Sequence, residues 1–154
     1  MNDRLRVGLR VVLVALAFPG ASVGLWATLA PRSFYDDFPG GGREWIAPDG
    51  PFNEHLVRDV GALNLALVVL TIAAAALLIR SLVVVAALGW LVYGVPHVVY
   101  HARHLDPFES ADAVAITSSL ALVPVLAVVA LGLGAKIGGS EPTSRRSSRS
   151  STSA

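Results

Sequence analysis

The sequence predicts an all-α protein, a four-helix transmembrane bundle with one aromatic, Gly- and Pro-rich loop at its extracytoplasmic mouth. Three observations predict it. Apolar residues make up 54% of the 154 and charged residues 15%, which leaves too little polar surface to coat a soluble globule of that size. Four stretches, 11–30, 60–79, 82–101 and 112–135, approach or exceed the length of apolar helix, about 18 to 20 residues, that crosses a hydrocarbon core of about 30 Å. The charged residues are pushed to the ends of these stretches and sorted by sign.

The first span contains Pro19-Gly20 near its centre and the spacing Gly20-Ala21-Ser22-Val23-Gly24. Proline removes a backbone donor and kinks a helix, and small residues four apart let a neighbouring helix approach closely. Thr28-Leu29-Ala30 loosely resembles a signal-peptide cleavage site, but the apolar run exceeds the usual length and Pro31 follows directly, so the helix is expected to be retained. The loop 31–57 alternates Phe34, Tyr35, Phe38, Trp45 and Phe52 with Pro39, Gly40-Gly41-Gly42, Pro48 and Pro51. Aromatic side chains favour the membrane interface, so the loop is expected to lie across the bundle's mouth.

Asn53 is placed to cap the second helix. The second and third spans are joined only around Arg80-Ser81; a single helix of their combined length would reach roughly 60 Å, twice the hydrocarbon thickness, so a break is required there. Asp106-Pro107 stops the third helix and Ser110 is a plausible cap for the fourth. Pro96 and Pro124 are read as kinks, and Asn64 and Thr71 as interhelical hydrogen-bonding groups. Residues 1–10 form a short N-terminal segment, 11–136 the membrane domain, and 137–154 an Arg/Ser tail with nothing to bury, expected to be disordered.

With the N-terminus inside, Arg4, Arg6, Arg10, Arg80, Lys136, Arg145, Arg146 and Arg149 are cytoplasmic, while Arg32, Arg43, Arg58 and Arg103 are outside. This asymmetry satisfies the positive-inside rule and puts both termini in the cytoplasm of a multi-pass membrane protein. Nine of the eleven acidic residues then fall outside and make the mouth electronegative. The bilayer is the expected partner, with a larger membrane complex or a second copy as further candidates; no nucleic-acid partner is expected.

Cysteine is absent, which removes thiolate metal sites, disulfides and cysteine nucleophiles, so any site must use His, carboxylate, Tyr or Ser. All four histidines fall at the outer face. At about 100° per residue, with His97 as zero, His101 lies at roughly +40°, His104 at roughly −20°, Tyr93 at roughly −40° and Trp90 at roughly +20°, one stripe along the third span. On the second span His55 and Asp59 share a face, as a histidine and its orienting carboxylate would, and Arg58 can pair with Glu54 or Asp59.

Three chemistries suit this pattern. His55, His97, His101, His104 and Asp59 form a candidate set for zinc, copper or iron. A histidine with Trp90 and Tyr93 beside it suits haem. A His/Tyr/Asp group with Trp90, Tyr93, Tyr100 and Arg58 as ligand-binding candidates suits a quinone or a proton relay. None of these spacings specifies a reaction.

The segments 31–39 (PRSFYDDFP), 50–62 (GPFNEHLVRDVGA) and 96–101 (PHVVYH) resemble a family of small bacterial four-helix membrane proteins near the DoxX-like group. The resemblance spans roughly residues 8–135. It implies a four-helix bundle in a bacterial inner membrane and carries no activity over to this chain. The expectation is a metal-, haem- or quinone-binding module with its site at the outer mouth. The alternative is a non-catalytic accessory subunit docking through its small-residue faces, with a transporter as a third and weaker reading.

Overall fold

The computed structural model describes residues 2–137, so the Arg/Ser tail lies outside the described residues. It contains four helices long and apolar enough to cross a membrane: α1 (Asp3–Leu29), α3 (Glu54–Leu77), α4 (Arg80–Ala102) and α5 (Ser110–Gly134). A short helix α2 (Pro31–Asp37) and a minimal hairpin of β1 (Pro39–Gly40) and β2 (Arg43–Glu44) lie between α1 and α3. The protein is an all-α, multi-pass membrane bundle, as the composition and the four apolar runs predict.

The helices outrun their apolar stretches. Asn2 caps α1, its Oδ1 accepting the Leu5 N–H at 3.0 Å, and the Asn53 cap accepts the Leu56 N–H at 3.1 Å. Ser110 is not a cap. It is the first residue of α5, behind Glu109, which makes no side-chain cap bond. The break between α3 and α4 falls at Leu78, whose left-handed backbone (φ 50°, ψ 38°) is held while its side chain is buried in the core. Pro19, Pro96 and Pro124 all sit inside helices that continue through them.

Within the loop, β1 and β2 pair Pro39 with Glu44 and Gly40 with Arg43 around the two-residue turn Gly41-Gly42. Both turn glycines have positive φ (68° and 77°), the requirement of a type I′ hairpin turn. The loop is therefore a folded segment built from a short helix and a hairpin. Tyr35 Oη donates to the Gly50 carbonyl at 2.6 Å, and Arg43 reaches Asp112 of α5 at 3.4 Å, so the segment is tied back across the bundle.

α1 packs along α3 and α4 along α5, and the α3–α4 and α1–α5 contacts close the ring. Gly20 and Gly24 face inward, not toward a partner protein. A Cβ on Gly20 would enter the Trp90 ring, and one on Gly61 would meet the backbone and hydroxyl of Thr28. The Gly20/Gly24 spacing is thus occupied by packing within the protein.

Two arginines clamp the antiparallel α1–α3 pair reciprocally. Arg10 near the start of α1 donates to the Ala75 carbonyl at the end of α3 at 3.2 Å; Arg58 at the start of α3 donates to the Thr28 carbonyl at the end of α1. Each cation meets carbonyls at the negative end of the other helix. Outside the ring, Val14, Phe18, Val69, Val92, Leu122 and Val128 are exposed, as a lipid-facing surface requires.

The two ends of the bundle differ. Leu9, Leu13, Leu16, Val83, Ala86 and Ala130 fill the half nearer the termini, with Trp90 as the upper boundary of this core. Toward the loop, a smaller cluster centred on Ala27, Phe34 and Val57 packs under α2. A cavity separates the two.

Candidate functional site: a cavity beneath the loop

The cavity encloses about 380 Å³ and is walled by all four long helices and roofed by the loop. Its walls are mainly apolar. Apart from Ser119 of α5, its polar groups follow one strip: Asn64 of α3, then Tyr93, His97 and His101 of α4, with Asp49 and Trp45 arriving from the loop.

The strip is built by helical periodicity. Trp90, Tyr93, His97 and His101 fall at three- and four-residue intervals on the inward face of α4. Consecutive rings touch: Trp90 meets Tyr93 edge-on at 6.1 Å, Tyr93 meets His97 edge-on at 5.3 Å, and His97 stacks on His101 at 4.9 Å. At the floor, Trp90 is 1% exposed, and its indole N–H donates to Thr71 Oγ1 at 2.7 Å. One turn higher, Asn64 Nδ2 donates to Tyr93 Oη at 3.1 Å. Asn64 and Thr71 are thus the interhelical bonding groups expected from sequence.

Near the roof, His101 is only 9% exposed and its Nε2 lies 4.0 Å from Asp49 Oδ2. Its Nδ1 is buried without a hydrogen-bond partner, and so is the indole N–H of Trp45. Buried polar atoms are normally satisfied, so these two nitrogens stand out: their rings line one cavity although the atoms themselves present almost no surface to it, while Thr28 Oγ1 and Asp112 Oδ1, outside the cavity lining, also lack hydrogen-bond partners.

The expected site residues are divided by this geometry. Trp90, Tyr93, His97 and His101 are brought together. His55 and Asp59 pair with each other at 3.2 Å, with side chains 88% and 61% exposed. They lie about 160° around α3 from Val57, which faces the cavity, so helical geometry turns both away. His104 lies past the end of α4, where the 100° projection no longer applies; its ring stacks on Tyr100 at 4.2 Å and its Nδ1 contacts the Tyr100 carbonyl. Tyr100 is exposed and does not line the cavity. Arg58 is occupied by Glu54, at 2.9 Å, and by the end of α1.

The five-residue metal set therefore does not form one coordination sphere. Among the described residues, no three His, Asp or Glu side chains gather at metal-binding range.

Sequence reasoning missed Asp49, Trp45 and Ser119 as cavity residues. Trp45 and Asp49 are carried there by the hairpin and by the 3₁₀ turn Ala47–Asp49 that follows it. The Gly41-Gly42 pair was the available signal for that hairpin.

No protein-family model, curated protein or solved structure matches this chain. The functional reading rests on the cavity itself.

Proposed function

We propose that this protein is a membrane-embedded binding module for a lipid-soluble molecule with a planar, hydrogen-bond-accepting head of the quinone class. Its site lies at the extracytoplasmic mouth of a bundle in a bacterial inner membrane, with both termini cytoplasmic. The observation that carries the reading is an apolar cavity with one polar strip, Asn64, Tyr93, His97 and His101, whose roof holds two rings with unpartnered nitrogens, His101 Nδ1 and Trp45 Nε1, that a turn of either ring would present to an occupant. An indole nitrogen only donates, so the occupant must offer an acceptor such as a carbonyl; an imidazole nitrogen serves either role. Tyr93 accepts from Asn64 and keeps its own proton to donate, a further donor toward a second acceptor. The volume falls within the range of about 300–1,000 Å³ typical of small-molecule pockets.

The packed half of the bundle below Trp90 gives the cavity a floor, which supports binding over conduction. A haem or metal centre has less support. His97 and His101 stack face to face, and the remaining candidate ligands point elsewhere.

The test is titration of detergent-purified protein with decyl-benzoquinone, read by tryptophan fluorescence, because Trp45 and Trp90 line the cavity. Saturable quenching is expected, weakened about fivefold to tenfold in His101→Leu and in Trp45→Phe, the worth of one hydrogen bond each. Absence of saturable quenching, or equal affinity in both variants and wild type, overturns the reading. Parallel assay for zinc, copper, iron and haem gives the competing outcome. Stoichiometric metal lost in His97→Ala would replace an organic ligand with a metal centre.

A further inference from the structure

We infer that the occupant is a tailed amphiphile that enters sideways from the bilayer, its apolar chain leaving the cavity at Ser119 of α5. The inference rests on reading the cavity as a binding site and adds the route and the shape of what binds.

Ser119 lines the cavity and is exposed, and at about 60° around α5 from the buried Ile116 it stands on the flank between the inward and lipid-facing sides, which is where the breach in the cavity wall is placed. The loop-side half of α5 is loosely held. Ile116 is its one buried residue, whereas Ala127, Ala130 and Gly134 anchor the other half. Ser119 Oγ is tied to the Ile116 carbonyl at 3.0 Å, so the breach presents little free polarity. The facing wall is Pro19, Gly20 and Val23 of α1.

Depth decides what lies outside this breach. Ser119 is roughly 14 Å along α5 from Ser110 at about 1.5 Å per residue, near the middle of a hydrocarbon core of about 30 Å. Counted back from the end of α1, Pro19 lies at a similar depth, roughly 15 Å. The opening therefore faces acyl chains. A second opening beside Leu56, which lines the cavity and is exposed, lies in the first turn of α3 under the loop.

Volume points the same way. About 380 Å³ seats a ring-sized head against His101 and Trp45 and the first part of a chain, so the remainder of a long chain lies outside the cavity. A chain that stays in lipid costs nothing in apolar transfer, because lipid and cavity wall are equally apolar.

The experiment uses the full chain in phosphatidylcholine vesicles, with tailless dimethoxy-methyl-benzoquinone and its decyl-tailed counterpart as probes, in wild type and Ser119→Trp. The bulky ring should weaken the tailed probe at least about tenfold more than the tailless probe. A decyl quinone with a diazirine at its tail end, photolysed in wild type, should label residues of α5 around Ser119 and Leu120. This second measurement does not depend on the variant folding. Equal effects of Ser119→Trp on both probes, or labelling confined to the loop and Leu56, overturn the lateral route and leave the binding reading intact. Failure of both probes to bind wild type removes the binding reading itself, and this inference with it.

Discussion

Trp90 and Thr71 share a buried hydrogen bond between α4 and α3, the indole N–H donating to Oγ1 at 2.7 Å while that hydroxyl donates onward to the Leu67 carbonyl at 2.7 Å. Neither helix has a hydrophobic reason to prefer the other over lipid, so such polar bonds and close packing hold the bundle. Thr71→Val keeps the shape and strands the indole N–H. It should cost about 1 to 2 kcal/mol, read as a lower melting temperature in detergent, while Thr71→Ser stays near wild type. Equal melting of Thr71→Val and wild type would show the bond to be incidental.

Close backbone approach between α1 and α3 gives the second prediction. Gly61 lies against Thr28 and Ala27, and a side chain there must push the helices apart. Gly61→Val should destabilise by about 1 to 3 kcal/mol. Gly8→Val, where a Cβ meets nothing, should be nearly silent in the same thermal assay.

Arg58 holds the loop end of the same helix pair. Its guanidinium bridges Glu54 and the Thr28 carbonyl, whereas Arg32 makes a local, exposed pair with Asp36 at 2.6 Å. Arg58→Ala should lower stability by about 1 to 2 kcal/mol, and Arg32→Ala by less, since exposed ion pairs contribute little. Arg43 is not the neutral control that an open loop would have made it, because it reaches Asp112.

The proposed orientation rests on the arginine and lysine distribution. Alkaline phosphatase is active only outside the cytoplasm. A fusion after Gly42 should be active and a C-terminal fusion silent; the reverse pattern would turn the cavity mouth toward the cytoplasm.

The helices were legible because a bilayer demands long uncharged runs, and four such runs admit few other arrangements. Pairwise packing was partly legible: Gly20 and Gly24 announced a close approach, though not that it is intramolecular. The site was half legible. The α4 strip from Trp90 to His101 followed from periodicity, which fails at His104 because the helix ends at Ala102. Periodicity also could not say which face of α5 turns inward. That helix is apolar on every side, since lipid and protein interior select the same residues, and so nothing marked Ser119. Asp49 and Trp45 depended on turn geometry far from their own helical neighbours.

The reciprocal arginine clamps also act as a ruler. Arg10 to Thr28 along α1 and Arg58 to Ala75 along α3 each span roughly 26 Å at about 1.5 Å per residue. Sliding either helix along the other stretches both clamps together, so the distance between the two guanidinium levels is fixed. Since those charges avoid hydrocarbon, the protein presents a set hydrophobic thickness a few ångströms below the average bilayer. Mismatch with thicker, more ordered lipid must then be absorbed by the membrane thinning around it, at fractions of a kcal/mol per Å, which biases the protein toward thin, fluid regions of the membrane in which it resides.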